Sequence, residues 1–509
     1  MTPSRNQPCP CGSGKKFKHC CAKQALVRPA ATVVAMPDGT KVPIPAALQT
    51  AMQLHQAGRL RKAGEIYRRM LDLQPQHADA MHLLGVVEHQ MGNYPQAIKL
   101  IQQAIGISPN VGMFHNNLGK ALFALGKLDD AVEQYRNALS LQANFPDACY
   151  NLGEALRAQN QLDEAEAQLK QALVLNPAYA EACFALGAVK QAQRNCEMAG
   201  EWYAKALAIR PDDAFLHNSV AMGLRLQGRL DDASVHCQRA IALKPEQAAF
   251  YSNLAQILKG QGKLTDAAQA LEKVLTLKPD DETCRHLLAA MRNETTERAP
   301  ASYVRDTFDY YAENFDAHLV NKLEYRTPEQ LAELIVAHVR PSVGSLNVLD
   351  MGCGTGLFGV CIKPYARRLV GVDLSPKMVE QADKRAIYDE LVVADLLKWL
   401  GQQEATSFDL LAASDVFNYL GNLTPVFEQA RRILRSGGML AFSIEIGSDP
   451  DKDYCLASTG RYQQTPAYIR RLAQAQGFSE VRSQSVAIRK EQDVPVQGEL
   501  CLFKLDPVV

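Results

Sequence analysis

Residues 347–356 read Asn-Val-Leu-Asp-Met-Gly-Cys-Gly-Thr-Gly, NVLDMGCGTG in one-letter code. The first four residues form a short apolar run that predicts a strand, and the glycines behind it predict a turn. A helical segment follows over residues 357–365, and a second strand, RLVGVD, follows over residues 368–373. Strand, glycine-rich loop, helix and strand in this order predict a parallel α/β unit that binds a nucleoside at its first loop.

The spacing of the glycines separates two classes of nucleoside ligand. A dinucleotide site favours G-x-G-x-x-G, which places a pyrophosphate on the N-terminus of the helix. This chain has D-x-G-x-G-x-G instead, with Asp350 followed by Gly352, Gly354 and Gly356. A second aspartate, Asp373, ends the next strand, 23 residues further on (373 − 350). S-adenosylmethionine lacks a phosphate and carries an ammonium group that a carboxylate favours, so the pattern favours this cofactor over NAD.

The segment VLDMGCGTG resembles motif I of class I S-adenosylmethionine-dependent methyltransferases, and the resemblance continues over residues 302–509. It implies an α/β Rossmann-like domain in which Asp373 binds the two ribose hydroxyls. It also implies that Leu374 and Met378 line the adenine slot, and that Asp395 contacts the adenine amino group. The residues that the resemblance assigns to cofactor binding are Asp350, Gly352, Gly354, Gly356, Asp373, Leu374, Met378, Asp395 and Leu396.

The candidate catalytic residues follow the fourth predicted strand, residues 408–412. A sulfonium is already a strong electrophile, so the enzyme mainly aligns the nucleophile with the methyl–sulfur bond. An oxygen or nitrogen nucleophile can also need a base to remove its proton. Asp415 and Tyr419 come directly after the strand, where this fold meets its substrate. We therefore expect Asp415 first, and Tyr419 second, to act in catalysis.

The stretch before motif I, residues 308–331, reads FDYYAENFDAHLVNKLEYRTPEQL. It is similar to the N-terminal lid helices of small-molecule methyltransferases of the ubiquinone, menaquinone and biotin pathways, and it places Tyr310, Tyr311 and His318 on the lid. The whole chain resembles bacterial proteins described as predicted methyltransferases with tetratricopeptide repeats. The shared segments are YAENFDAHL, Tyr311–Leu319, and the arginine–tyrosine segment Gly460–Tyr462.

An internal repeat with a period of 34 residues occupies residues 44–281. Glycine recurs where a first helix must stop, alanine where two helices approach closely, and proline after the second helix. The alanines of the series are Ala63, Ala97, Ala131, Ala165, Ala199, Ala233 and Ala267. The region resembles seven tetratricopeptide repeats, which stack into an all-α solenoid with a concave inner surface. Residues 282–301 are predicted to form a capping helix and a linker.

Three asparagines occupy the same position in their repeats: Asn117, Asn151 and Asn253. They resemble the asparagine ladder with which the peptide-glycosylating N-acetylglucosamine transferase grips an extended substrate, although Ala185 and Ser219 interrupt the series here. An asparagine amide offers a donor and an acceptor together, which match a backbone N–H and C=O. The sequence therefore predicts binding of an extended protein segment, and the alternative is a set of solvated helix faces.

Four cysteines lie within the first 21 residues, as Cys9-Pro-Cys11 and Cys20-Cys21. Two short pairs separated by a loop are typical of a tetrahedral zinc site. Residues 1–23 resemble the SEC-C motif, which implies a structural zinc held by these four thiolates and a protein partner for the module. Residues 24–43, rich in proline, are predicted to form an extended linker.

The overall composition excludes several classes of protein. Lys+Arg and Asp+Glu both number 55, so no charge excess favours nucleic acid or an anionic membrane. No apolar run reaches the length of a membrane span, and the N-terminus lacks the apolar segment of a signal peptide. Nine of the 13 cysteines are scattered singly, as in a reducing compartment. We expect a cytoplasmic protein.

Three functions stay open at this point. The first is an enzyme whose repeats present a protein or peptide to the methyltransferase site. The second is a small-molecule methyltransferase, of the quinone or acyl-carrier pathway type, whose repeats serve assembly. The third is a non-catalytic scaffold that senses the cofactor, and the intact set of acidic and glycine residues speaks against it.

Overall fold

The computed structural model describes residues 33–312, 315–316, 325–447, 449–491 and 494–507. The contacts divide the chain into two compact units, residues 1–229 and 230–509. This division falls inside the sixth repeat, so the second helix of that repeat and the whole seventh repeat belong to the same unit as the C-terminal domain. The four clustered cysteines and His318 lie outside the described residues.

The first unit begins with a short hairpin. Strand β1 (Val33–Ala35) pairs antiparallel with β2 (Lys41–Pro43), and Val34 lies opposite Val42. Val34 is fully buried in a cluster with Ala47 and Ala63 of the first repeat. The prediction of an extended linker is therefore wrong for residues 33–43, because these apolar side chains cover the open end of the first helix pair.

Helix pairs make up the rest of the first unit. The helices are α1 (Ile44–Gln56), α2 (Leu60–Leu73), α3 (Ala78–Gln90), α4 (Tyr94–Ile107), α5 (Gly112–Ala124), α6 (Leu128–Leu141), α7 (Pro146–Ala158), α8 (Leu162–Leu175), α9 (Ala180–Ala192), α10 (Cys196–Ile209) and α11 (Ala214–Leu226). The turns inside the pairs need a left-handed residue. Gly126 has φ +79°, and Asn160 and Arg194, which replace glycine, have φ +60°.

The repeat alanines lie where the helices touch. Ala63, Ala97 and Ala131 are fully buried, as are Ala165 and Ala233. A methyl group is small enough to let two helix axes approach, and larger side chains from both helices fill the space beside it. The predicted tetratricopeptide architecture is confirmed.

The second unit begins with the remaining repeat helices. These are α12 (Leu230–Leu243), α13 (Ala248–Gly260) and α14 (Leu264–Leu277), followed by the predicted covering helix α15 (Glu282–Met291). Asp281 caps α15 by accepting a hydrogen bond from the Cys284 amide at 2.8 Å. Helices α16 (Ala301–Tyr311) and α17 (Thr327–Val339) precede the sheet.

The second unit contains a sheet of the strands β3 (Leu346–Met351), β4 (Ala366–Asp373), β5 (Glu390–Val393), β6 (Phe408–Ala413), β7 (Leu434–Glu445), β10 (Phe478–Glu491) and β11 (Val494–Leu505); a separate hairpin pairs β8 (Tyr454–Leu456) with β9 (Tyr462–Gln464). The strand order in the sheet is β10-β11-β7-β6-β3-β4-β5. Strands β5, β4, β3, β6 and β7 are parallel, whereas β11 runs antiparallel to β7 and to β10.

Helices cover both faces of this sheet. They are α18 (Leu357–Ile362), α19 (Pro376–Asp383), α20 (Leu396–Gln402), α21 (Thr424–Ile433) and α22 (Pro466–Ala475). Alternate residues of one strand enter different apolar clusters: Leu349 belongs to one, and its neighbour Val348 to the other. Both faces are thus buried, as in a doubly wound sheet. The predicted Rossmann-like domain is confirmed.

Among the described residues, no helix is both long enough and apolar enough to cross a bilayer.

Candidate functional site

The glycine-rich loop leaves β3 at the carboxyl edge of the parallel strands. Gly352 has φ +68°, and a Cβ built on it would lie 2.5 Å from a methyl group of Val416. The Gly352 amide donates to the Val372 carbonyl at 2.7 Å, which ties the loop to the end of β4. Only glycine fits this conformation and this space together. Because Gly352 allows this close approach, the glycine-rich loop, the end of β4 and the segment after β6 meet at one place.

One cavity of about 350 Å³ lies at this edge. Its lining includes most of the predicted site residues: Asp350, Gly352, Gly354, Asp373, Leu374, Asp395, Leu396, Asp415 and Tyr419. Two predicted cofactor residues lie elsewhere. Gly356 is the N-cap of α18, and Met378, which belongs to α19, is fully buried. The residues that line the cavity come from the ends of four strands, which is where ligands bind in open α/β sheets.

Asp373 is held in a fixed orientation at the end of β4. Its two carboxylate oxygens accept hydrogen bonds from the Gly354 amide at 2.9 Å and from the Ser375 amide at 2.8 Å. Burial raises the pKa of the Asp373 carboxyl above its ordinary value, and the backbone hydrogen bonds oppose that rise. The carboxylate is therefore oriented by the backbone before any ligand arrives.

Asp350, at the end of β3, is almost completely buried. The Tyr388 hydroxyl donates to one of its oxygens at 2.6 Å. Burial raises the pKa of Asp350 to about 7, and the Tyr388 hydrogen bond acts in the other direction. A cation entering the cavity would favour the ionised form of this carboxyl.

Asp395 caps α20, because one of its oxygens accepts a hydrogen bond from the Lys398 amide at 3.1 Å. Its other oxygen lies 3.4 Å from the Arg298 guanidinium. Arg298 belongs to the segment between α15 and α16 and was not predicted to reach the site. This segment is anchored by its backbone: the Ala299 amide donates to the Tyr419 carbonyl at 3.0 Å.

Asp415 adopts a left-handed backbone conformation with φ +58° directly after β6. Its carboxylate oxygens lie 3.1 and 3.2 Å from one nitrogen of Arg489. One of these oxygens also accepts a hydrogen bond from the side-chain amide of Asn418 at 2.9 Å. A left-handed aspartate is uncommon and is found where the surroundings hold it. The expected base thus lines the cavity, with an arginine and an asparagine bonded to its carboxylate.

Sequence reasoning missed the charged group around Asp415. Arg489 on β10 also donates to Glu445 at the end of β7, and Arg461 lies 3.6 Å from the same Glu445. Both Arg489 and Glu445 are buried, and burial of ions in pairs is expected since an uncompensated buried charge is costly. One signal was present in the sequence: Arg489 directly follows the apolar run Val486-Ala487-Ile488 within the segment SVAIRKE.

Two tyrosines complete the wall near Asp415. The Tyr325 and Ser414 hydroxyl oxygens are 3.3 Å apart, and Tyr419 lies on the short helical turn Phe417–Tyr419. Burial raises the pKa of Tyr325 well above its ordinary value and raises that of Tyr419 as well. Both hydroxyls are therefore protonated at neutral pH, and each can donate or accept a hydrogen bond.

The predicted lid contributes α16 to the cavity wall. Phe308 and Tyr311 line the cavity, whereas Tyr310 is 81% exposed and lies outside it. Asp309 accepts a hydrogen bond from the Ser375 hydroxyl at the start of α19. Further along, Asp316 accepts from the Thr355 hydroxyl of the glycine-rich loop. Asp309 on α16 and Asp316 after this helix therefore connect their part of the chain to the start of α19 and to the glycine-rich loop.

In the first unit, Asn117 and Asn151 line a common cavity of about 430 Å³. Both amide nitrogens point to the preceding repeat: that of Asn117 lies 2.9 Å from His82 Nε2, and that of Asn151 donates to the Asn116 side chain at 2.9 Å. Asn253, the third predicted member, belongs to the second unit. Two members of the ladder thus share one surface, and their amides connect successive repeats.

The predicted zinc ligands cannot be placed, because residues 1–32 lie outside the described residues. Within the described ranges, no three His, Cys, Asp or Glu side chains are grouped so as to hold a metal ion.

Comparison with known protein families finds three kinds of module in the chain. The family described as methyltransferase domain matches residues 349–442. Tetratricopeptide repeat families match residues 54–116, 119–156, 153–193 and 224–291, and the SEC-C motif matches residues 5–23. The chain therefore carries a methyltransferase domain behind tetratricopeptide repeats, with a SEC-C motif near its start.

Curated relatives match about a quarter of this chain. A malonyl-[acyl-carrier protein] O-methyltransferase of Halalkalibacterium halodurans is 31% identical over 137 residues, 25% of this chain and 51% of the relative. The sterol 4-C-methyltransferase strm-1 of Caenorhabditis elegans is 28% identical over 156 residues, 28% of this chain and 46% of that protein. The chain spans about half the length of the curated relatives it matches. The names of these two relatives specify methyl acceptors of different chemical classes, a malonyl-[acyl-carrier protein] and a sterol.

Among solved structures, that of PilF from Pseudomonas aeruginosa is similar to 40% of this chain and covers 93% of its own length. The identity is 22% and the TM-score is 0.37.

Proposed function

We propose that the chain is an S-adenosylmethionine-dependent methyltransferase whose cofactor occupies the cavity at the carboxyl edge of β3, β4 and β5. The observation that carries the proposal is the convergence of Asp350, Asp373 and Asp395 on that one cavity. Three carboxylates in fixed positions, from three successive strand ends, match a ligand with an ammonium group, a ribose and an adenine amino group.

The residues present fit this cofactor. Gly354 lines the cavity, and a Cβ built on it would meet no protein atom within 4 Å, so the glycine leaves open space against the backbone. Asp373 would hold the ribose hydroxyls, since its carboxylate is already oriented by two amides. Asp350 would compensate the ammonium group, and Leu374 and Leu396 would flank the adenine.

When bound, the cofactor supplies an electrophilic methyl group on sulfur. The contribution of the chain is to position the acceptor in line with that methyl and to exclude water. Phe308, Tyr311 and Tyr419 form an aromatic wall beside the cavity. Asp309 on α16 accepts from the Ser375 hydroxyl, and Asp316, which follows the helix, accepts from the Thr355 hydroxyl.

The acceptor, in this proposal, is a protein or an acceptor carried on a protein, delivered by the repeats. Asn117 and Asn151 support this, because both line the cavity of the first unit together with Tyr150 and Tyr179. Amides and tyrosines on one surface suit an extended backbone. A small molecule is the second candidate, favoured by the limited volume of the cofactor cavity, about 350 Å³.

The test is transfer of a labelled methyl group from S-adenosylmethionine to an extract of a strain that lacks this protein. The expected result is label in the macromolecular fraction, formed by the full chain and lost in Asp373→Asn. Label found only in the small-molecule fraction would replace the first candidate by the second. No transfer to either fraction would contradict the enzyme proposal, and a chain that nevertheless binds the cofactor would then be a sensor.

A further inference from the structure

A short segment between α15 and α16, residues 297–299, lies along the wall of the cofactor cavity. The Glu297 carbonyl accepts hydrogen bonds from the two backbone amides of residues 421–422, at 2.8 and 2.9 Å. The Ala299 amide donates to the Tyr419 carbonyl at 3.0 Å. All three bonds are made by the backbone. They therefore hold the position of Arg298, which lies between them, and they do not depend on the Arg298 side chain.

The Arg298 side chain extends from this segment to one end of the cavity. Arg298 lines the cavity together with Asp373, Leu374, Asp395 and Leu396. One of its guanidinium nitrogens lies 3.4 Å from Oδ2 of Asp395. This distance is longer than a normal hydrogen bond, so the contact is mainly an attraction between two charges. The other four residues are those that the proposed function places around the adenine and the ribose. Arg298 therefore lies at the nucleoside end of the cavity.

The two carboxylate oxygens of Asp395 have different partners. Oδ1 accepts a hydrogen bond from the Lys398 amide at 3.1 Å, and Oδ2 is next to Arg298. The two contacts together restrict rotation of the carboxylate. Each carboxylate oxygen can accept two hydrogen bonds, and no further donor from the described part of the chain is bonded to Oδ2. This oxygen can therefore accept one more hydrogen bond, from a ligand in the cavity.

From this arrangement we infer that Arg298 is a positioning residue for the adenine of the cofactor. It holds Oδ2 of Asp395 in the orientation in which this oxygen accepts a hydrogen bond from the 6-amino group. The inference rests on the proposed function and adds to the site a residue that precedes residue 302, where the methyltransferase domain was predicted to begin. A nucleoside without a donor at C6 forms no bond with Asp395, so its binding does not depend on Arg298.

Arg298 and the 6-amino group share Asp395 in this arrangement and do not compete for it. The Arg298 side chain is 49% exposed, whereas that of Asp395 is 19% exposed. A half-exposed guanidinium at 3.4 Å leaves the second acceptor position of Oδ2 open. Competition would have the opposite consequence, because removal of the guanidinium would then free the oxygen and strengthen binding.

Two ligands that differ only at C6 test the inference on the full chain. They are S-adenosylhomocysteine and its analogue with hydrogen in place of the 6-amino group, and titration calorimetry measures the affinity for both. Arg298→Gln should lower the affinity for S-adenosylhomocysteine about three- to fivefold, near the upper end for an exposed ion pair. Its affinity for the analogue should match that of the parent. An equal loss for both ligands would show a structural role of Arg298 and overturn the inference, as would unchanged or tighter binding of S-adenosylhomocysteine.

A second measurement uses S-adenosylhomocysteine alone. In Asp395→Asn, the further change Arg298→Gln should cause no additional loss of affinity, because Arg298 acts through the carboxylate. Additive losses would contradict this.

The matched control is Arg305→Gln. The Arg305 side chain is also 49% exposed and pairs with an acid, Asp306, at 3.3 Å, but it is not among the described residues that line the cavity. This variant should bind both ligands as the parent does. A parent chain that binds neither ligand would contradict the placement of the cofactor itself, on which the inference rests.

Discussion

The His286 imidazole donates a hydrogen bond from Nε2 to the carbonyl oxygen of Gly460 at 3.0 Å. His286 lies on α15, the helix that covers the last repeat, and Gly460 lies in the turn between β8 and β9, next to Arg461. Gly460 has φ +86°, and a Cβ built on it would lie 2.7 Å from the Tyr303 hydroxyl. The turn that presents Arg461 is thus held by the helix that ends the repeat array.

The His286 contact predicts a stability change. His286→Leu should lower the free energy of unfolding by about 1–3 kcal/mol, because the buried Gly460 carbonyl loses its donor. His286→Gln, whose amide nitrogen has a similar reach, should restore part of that loss. Denaturant unfolding at pH 7.5 measures both, and a leucine variant as stable as the parent would show that the contact contributes nothing.

The same histidine predicts a pH dependence. Burial lowers the pKa of His286 below its ordinary value of about 6.5, so the unfolded chain binds a proton more readily than the folded chain. The contribution of His286 to the free energy of unfolding is therefore fully present above about pH 6.5. It is lost as the pH falls towards the lowered pKa of the folded chain. The difference in stability between pH 7.5 and pH 5.5 should shrink in His286→Gln. An unchanged difference would assign the pH dependence to other groups.

Asp350 predicts that cofactor binding releases a proton. Its pKa is raised from 3.8 to about 7 in the folded chain, so it is part-protonated near neutrality. Its contribution to stability is full below pH 3.8 and is lost as the pH rises through 7. An ammonium group nearby favours the ionised form. Calorimetric titration of S-adenosylmethionine at pH 6.5, in two buffers of different ionisation enthalpy, should show proton release that Asp350→Asn abolishes.

The control for this measurement is Asp383→Asn, an exposed aspartate at the end of α19. It should release the same number of protons as the parent. Binding without proton release in the parent would mean that Asp350 does not face the cofactor's ammonium group.

The N-terminal cysteines predict one bound zinc ion for each chain. A module of about 20 residues buries too little core to fold alone, and metal binding would supply most of its folding free energy. Elemental analysis should find the metal in the parent and in Cys196→Ser, and should not find it in the double variant Cys20→Ser, Cys21→Ser. Cofactor binding should persist in all three. Stoichiometric zinc in the double variant would overturn the ligand set.

The asparagine ladder predicts a change in acceptor binding. Replacing Asn117, Asn151 and Asn253 by alanine should raise KM for a delivered protein acceptor and leave kcat near the parental value, because uniform binding is lost. Each lost amide contact contributes about 0.5–1.5 kcal/mol. The control is Asn144→Ala, in an exposed turn of the first unit. If the folded triple variant keeps the parental kcat/KM, the repeats do not bind the acceptor and serve assembly alone.

Helicity must be compared first, because the Asn117 and Asn151 amides also connect successive repeats. Equal circular dichroism of the triple variant and the parent separates a loss of acceptor contacts from a loss of the array.

Local sequence patterns were sufficient to predict the repeat helices and the position of the cavity. The 34-residue period predicts the helix pairs, because glycine recurs at the turn inside each pair, alanine at the contact between helices, and proline after the second helix. The strand and glycine loop at residues 347–356 predict where the cavity lies, since the backbone conformation of Gly352 is a local property. The hairpin over residues 33–43 was not predicted. Its strands are only three residues long, and they are stabilised by burial against the first repeat, which a local pattern does not indicate.

The acceptor side of the site was the least predictable part. Asp415 is identifiable from its place after a strand, but its partner Arg489 is 74 residues away in sequence. Arg298 and His286 reach the methyltransferase domain from the end of the repeats, and nothing in their local sequence indicates it. Such pairings depend on the tertiary arrangement of β7, β10 and α15, which periodicity and spacing do not encode.

The most direct test of the account is the affinity of the full chain for S-adenosylmethionine, measured by titration calorimetry beside NAD. We predict one site for S-adenosylmethionine and no binding of NAD. Asp373→Ala should weaken binding by about 1.5–3 kcal/mol, because a charge-assisted hydrogen bond to the ribose is lost. Asp373→Asn, whose single amide oxygen can still accept from one of the Gly354 and Ser375 amides, disturbs the loop less than alanine does and should also bind more weakly. Equal affinity of the parent and both variants for S-adenosylmethionine would contradict the placement of the cofactor at the end of β4.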